Sequence, residues 1–168
     1  MIVYRNAVPA DGPALSEMAK RCFTDTFGSL YRAGDLAAFL DATFGVGGLP
    51  SQIDDPAFTI RLALDGERLV GFAKIGPHAL PFDAENAVEL YQLYVLAAYQ
   101  GEGVGPALMD WAMASARECG AERVTLSVYT DNHRAKAFYT RYGFEDVGRY
   151  DFPVGEHIDE DRLMVARL

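Results

Sequence analysis

Residues 100–105 read Gln-Gly-Glu-Gly-Val-Gly and lie directly between two differently patterned stretches. Before them, Val88 to Val95 is a run of β-branched, aromatic and apolar residues, the texture of a strand. After them, apolar residues recur at Val104, Ala107, Leu108, Trp111 and Ala112, the spacing of a buried helix face, and Gly120 is a suitable stop. A strand that turns into a helix through three alternate glycines restricts the fold to a class in which helices pack on a sheet. The glycines let the backbone approach a bound group closely. The first amides of the helix lack intrahelical acceptors, so they favour an anion. A tight corner with no ligand reads equally well from glycines alone. Two phosphate motifs fail on spacing. A P-loop needs Gly-Lys-Ser/Thr, and Gly105 is followed by Pro106-Ala107; a GxGxxG fingerprint begun at Gly101 or Gly103 meets Pro106 or Leu108 in its last slot.

The rest of the chain extends this pattern. Ile2 to Asn6 is a short strand, Asp11 is a candidate cap for a helix running to about Phe23, and a second helix is expected from Asp35 to Phe44. Residues 58–64 and 68–75 flank Asp65-Gly66-Glu67 as a β-hairpin, and 77–87 read as a loop. Val124, Leu126 and Val128 alternate along a strand. Asp131 or Asn132 then caps a short helix with Ala135, Phe138, Tyr139 and Tyr142 on one face, stopped by Gly143. Two strands close the chain. The order β-α-α-β-β-β-α-β-α-β-β predicts one α/β (α+β) domain over 1–168. Its core is a mixed, mostly antiparallel central sheet of about seven strands with helices on both faces.

Charge and composition exclude several functions. Fifteen Lys and Arg stand against 24 Asp and Glu, for a net charge of −9. No basic patch suits nucleic acid, and an anionic membrane surface is disfavoured. The apolar runs are too short for a membrane span. The N-terminus lacks signal-peptide character. Cys22 and Cys119 are isolated and read as reduced thiols of a cytoplasmic protein, and the scattered His78, His133 and His157 argue against a metal site.

Leu93-Tyr94-Val95-(x)4-Gln100-x-x-Gly103-x-Gly105 resembles motif A of the GNAT superfamily of acetyl-CoA-dependent N-acetyltransferases. Asn132-x-x-Ala135-x-x-Phe138-Tyr139-x-x-x-Gly143-Phe144 resembles its motif B. The resemblance implies acetyl transfer from acetyl-CoA, with no metal, to a primary amine in a ternary complex. By the same resemblance, Leu93, Tyr94 and Val95 hold the pantetheine arm and acetyl carbonyl through main-chain groups. The pyrophosphate rests on the amides of Gln100, Gly101, Glu102, Gly103, Val104 and Gly105, beside Pro106, with the Glu102 side chain turned to solvent. Asn132, Ala135 and Phe138 line the arm. Tyr139 holds the place of the general acid, protonating the leaving thiolate, although its position on an apolar stripe also suits core packing. Glu89, one strand-length earlier, is the candidate base; it also reads as a buried partner for an arginine or as an exposed strand end. Alternation puts it on one face with Tyr91 and Leu93.

Within the superfamily the chain is similar to the bacterial spermidine/spermine acetyltransferase branch typified by PaiA. The similarity rests on Phe23 to Phe27, Val70 to Lys74, Glu89-Leu90, Tyr94-Val95, Tyr99-Gln100 and Asp161 to Met164. Tyr91 and Gln92 stand where that branch more often carries charge. The resemblance implies a small polyamine as acceptor and adds a homodimer as the expected assembly. A peptide, amino-acid or aminoglycoside amine is the alternative, as is a non-catalytic acetyl-CoA-binding regulatory module. Residues 151–161 carry five acids and no Lys or Arg. Such a stretch either steers a polycation or is a solvated face serving solubility.

Overall fold

The computed structural model describes residues 1–168. The eleven expected elements occur in the expected order. They are β1 (Ile2–Asn6), α1 (Gly12–Phe27), α2 (Ala33–Phe44), β2 (Thr59–Asp65), β3 (Arg68–Pro77), β4 (Ala87–Val95), α3 (Val104–Glu118), β5 (Arg123–Tyr129), α4 (His133–Arg141), β6 (Glu145–Val154) and β7 (His157–Arg167). The seven strands form one sheet in the order β1-β2-β3-β4-β5-β7-β6. Every neighbouring pair is antiparallel except β4 and β5. No helix is long and apolar enough to cross a membrane.

Both faces of the sheet are covered. On β3, Leu69 to Ile75 are all buried, which a strand with one wet face does not show. A Cβ on Gly71 would meet Val104 Cγ1 at 3.0 Å and Leu108 at 3.3 Å, so this side of the strand faces α3. The next residue, Phe72, points the other way and packs on Tyr94 at 5.3 Å between ring centroids. Tyr94 in turn meets Phe44 of α2 at 6.1 Å. Helices α1 and α2 therefore cover one face and α3 the other.

Three local readings change. First, α1 runs on to Phe27 and α2 begins at Ala33. Both shifts extend helices whose exposed ends carry too few apolar residues to mark the boundary. Second, Asp11 precedes α1, but its side chain does not cap it. Its carboxylate accepts two 2.7 Å bonds from the Arg5 guanidinium and a 2.8 Å bond from Val8 N–H. Bidentate pairing outcompetes a single capping bond, and it holds the Asp11 carboxyl below its ordinary pKa. Third, strand alternation fails in β4. Gln92 lies opposite Lys74 while Leu90 lies opposite Ile75, so Tyr91 is an extra residue in a bulge. Glu89 and Leu93 therefore do not share a regular face with Tyr91.

Of the two candidate caps for α4, Asn132 is the one used: its Oδ1 accepts from Ala135 N–H at 3.3 Å. We expect Asn132→Ala to cost about 1 kcal/mol in urea unfolding. Gly71→Val is expected to cost about 1–3 kcal/mol, because the new side chain runs into α3 and the Tyr94 carbonyl oxygen, 3.1 Å from the Cβ position. Urea midpoints unchanged from the parent protein would contradict both expectations.

Candidate active site

The site begins where two strands part. β4 pairs with β5 only through Ala87, Val88 and Glu89. From Leu90 to Val95 the edge of β4 turned away from β3 has no strand partner, so its main-chain groups face an opening. The opening is a cavity of about 1110 Å³. Its floor is β4, and one end is the glycine corner. Its sides are α4 with the end of β5, and aromatic residues of α1, α2 and β6.

At the glycine corner, Gly101 and Gly103 have φ of +87° and +84°, a conformation that other residues adopt only with strain. This coiling leaves the N–H groups of Gly101, Gly103, Val104 and Gly105 without a main-chain acceptor. The amides of Gln100 and Glu102, also expected to face an anion, are instead spent on Ala97 O and Tyr99 O, at 3.2 and 3.4 Å. Pro106 offers no N–H. The cradle thus has four amides at the start of α3, and an ideal Cβ on Gly101 or Gly103 would meet nothing within 4 Å. The residues present fit a diphosphate. The Glu102 side chain is exposed and does not line the cavity, and Val104 is buried in the core with only its amide turned outward.

The remaining expected residues converge. Leu93, Tyr94, Val95, Gln100, Gly101, Gly103, Gly105, Pro106, Asn132, Ala135, Phe138, Tyr139 and Glu89 all line the same cavity. Phe138 approaches the corner, 3.9 Å from the Cβ position of Gly105. Tyr139 packs against Phe138 and Phe144 at 5.6 and 5.7 Å, and its hydroxyl has no hydrogen-bond partner in the protein. Burial pushes the phenol up to about 12, so it is protonated throughout the neutral range.

Glu89 is buried, and no arginine pairs with it. Its Oε2 accepts from Ala79 N–H at 2.8 Å. Burial is the largest influence on its pKa and raises it, against that hydrogen bond, His78 and Lys74. His78 bridges Thr125 Oγ1 and the Phe82 carbonyl at 2.9 and 2.7 Å, which fixes the 77–87 loop beside Glu89. Lys74 sits 4.4 Å from the ring centroids of both Phe58 and Tyr91, and burial lowers its pKa to about 8.

Sequence reasoning missed several lining residues. Arg134, on the first turn of α4, lines the cavity and donates to the Gln100 side chain, so a cation stands at the amide cradle. Only its position two residues after Asn132 hinted at this. The same lining also includes Tyr31, Tyr129, Tyr150 and Phe152 together with Asp159 and Asp161. Asp159 was legible only as part of a charged stretch, and Asp161 as that and as the start of a segment similar to the PaiA branch, yet they are 5% and 7% exposed.

Comparison with known proteins agrees with this geometry. Residues 14–144 match the family model of the acetyltransferase (GNAT) family. An uncharacterized N-acetyltransferase of Mycobacterium tuberculosis is 34% identical over 158 residues, spanning 94% of this chain and 98% of its own. The aminoalkylphosphonate N-acetyltransferase of Salmonella typhimurium is 32% identical over 111 residues, 66% of this chain and 68% of its own. Among solved structures, a PaiA N-acetyltransferase from Thermoplasma acidophilum in complex with coenzyme A has the same fold. Its TM-score is 0.82 at 21% identity, covering 100% of this chain and 99% of that one. The parted strands, the amide cradle and a match to the family model over most of the length lead to one assignment: the chain belongs to the acetyltransferase (GNAT) family.

Proposed function

We propose that the protein transfers the acetyl group of acetyl-CoA to a primary amine of a small polyamine, by direct attack in a ternary complex. The observation that carries this reading is the single cavity shared by the amide cradle, the unpaired edge of β4 and the Tyr139 hydroxyl. The diphosphate of the co-substrate rests on Gly101, Gly103, Val104 and Gly105, with Arg134 beside it. Its arm follows β4, where a free N–H polarises the acetyl carbonyl as an oxyanion donor.

The acceptor arrives as an ammonium and must lose a proton before it attacks. Glu89 takes that proton through water, its affinity for protons enhanced by burial. The nitrogen lone pair then forms the N–C bond, the C–S bond breaks, and its electron pair leaves on sulfur. Tyr139 donates its proton to that sulfur. The second proton shed by the nitrogen restores the phenol through water, so the products are the acetamide and the free thiol of CoA.

The polyamine assignment draws on the motif similarity to the PaiA branch, on the full-length fold match to a PaiA acetyltransferase, and on the buried carboxylates in the acceptor wall. Those carboxylates disfavour acceptors that carry a phosphonate or carboxylate of their own. The deciding experiment measures CoA release with spermidine, spermine, amino acids, aminoglycosides, aminoalkylphosphonates and short peptides. Preference for the polyamines is expected, and preference for any other class overturns the assignment.

Tyr139→Phe is expected to lower kcat about 10²- to 10⁴-fold while leaving CoA affinity within about twofold. An undiminished kcat would remove Tyr139 from the chemistry. For Glu89, kcat of the parent enzyme at saturating acceptor, which is free of effects on acceptor binding, should fall as pH drops through the raised pKa of its carboxyl. Glu89→Gln is expected to flatten that acid limb, and a limb that persists assigns the proton to another group.

A further inference from the structure

Two carboxylates on β7 face the cavity, and they are not equivalent. Asp159 is occupied: it accepts from the Tyr31 hydroxyl, and His157 Nε2 lies 3.0 Å from its Oδ1. Asp161, two residues on and on the same face of the strand, has no cationic partner, although it is only 7% exposed. Ser127 acts on it as a donor that favours the charged form, whereas a carboxylate has about four acceptor sites. Buried carboxylates are ordinarily paired with a cation.

The surroundings point the same way. Asp161 lies directly opposite Tyr129 in the β5–β7 register. Tyr31, Tyr94 and Tyr129 line the same cavity, and the charge of Asp161 helps raise the pKa of each. Tyr94 and Tyr139 share this cavity lining, and Tyr139 contributes to the raised pKa of Tyr94. A buried acceptor in the same lining, Gln92 Oε1, has no donor. A pocket of tyrosine faces with unfilled acceptors and no cation of its own is complementary to an alkylammonium.

We propose that Asp161, within the cage of Tyr31, Tyr94 and Tyr129, anchors a cationic nitrogen of the acceptor and so determines acceptor specificity. This rests on the acetyltransferase reading above but not on the acceptor being a polyamine. Asp159 positions Tyr31 for the cage through their hydrogen bond. The groups that act on Asp161 or feel its charge are Asp159 on its own strand, Ser127 and Tyr129 on β5, Tyr94 on β4 and Tyr31 before α2. The three phenols stay neutral around neutral pH, burial being the largest influence that raises each of them. Burial also lifts Asp161 to about 7. The anchor is therefore charged above that value and lost below it.

The test compares the parent enzyme with Asp161→Asn and Asp161→Glu across the amine panel, with CoA affinity measured on each as a check of folding. For the best cationic acceptor, Asp161→Asn is expected to raise KM about thirtyfold or more, with CoA affinity unchanged and partial rescue by Asp161→Glu. In the parent, acceptor KM should rise as pH falls through about 7, and the Asn variant should lose that dependence. If polyamines are acetylated and Asp161→Asn leaves their KM unchanged, the anchor is overturned and the polyamine reading stands. If another amine is preferred and Asp161→Asn impairs it, the polyamine reading falls and the anchor stands. Turnover of no amine in the panel overturns both.

Discussion

The structure turns on the parting of β4 from β5 after three paired residues. Sheet hydrogen bonds are satisfied everywhere else along these strands, so the separation must be held open by other contacts. Two features do this. The bulge at Tyr91 adds a residue to β4 and changes its twist at the point where pairing with β5 has just ended. Beyond it, aromatic rings prop the walls apart: Tyr94 on Phe44, Phe44 on Phe23, Phe23 on Phe39, and Phe39 on Phe152 of β6, each pair between 4.7 and 6.1 Å. The chain of rings crosses from the centre of the sheet to its far edge, with α1 and α2 as struts. Without the gap, the free edge of β4 would be an ordinary ladder and the glycine corner would cradle an anion with nowhere to run.

Much of this was legible in the residues. The order of all eleven elements followed from apolar periodicity and from glycine stops, because each helix buries one stripe and each strand is bounded by turn residues. The glycine corner was legible for a stronger reason. Gly101 and Gly103 occupy backbone conformations that few other residues enter, so the sequence there reports geometry directly. Residue-level roles were less accessible. Asp11 looked like a cap until Arg5, on the preceding strand, claimed its carboxylate. Tyr91 looked like one more alternating residue, since nothing in its neighbours announces a bulge. Asp159 and Asp161 looked like surface charge, because burial of an acid depends on the helices and strands that close over it, and those are distant in sequence.

The cavity also joins two kinds of recognition with opposite electrostatics. Its glycine end offers amide N–H groups and Arg134, which suit an anion. Its far wall offers Asp159, Asp161 and tyrosine faces, which suit a cation. With a net charge of −9, the protein repels a polyanionic co-substrate at long range, and the local cradle must overcome that repulsion. Added salt therefore acts in opposite senses on the two ligands: it screens the repulsion felt by the nucleotide and weakens the attraction felt by a cationic acceptor.

The β6–β7 hairpin closes the sheet at one edge, and its turn at Gly155 abuts Asp35 of α2. The acidic wall of the cavity thus draws on this terminal ribbon and the first two helices, whereas the amide cradle lies at the start of α3, flanked by α4, and β4 runs between the two. Tyr94 is the side chain on β4 that borders both. Over evolutionary time, such a division lets the ribbon and early helices be rewritten for a new nucleophile while the thioester-handling half is inherited intact.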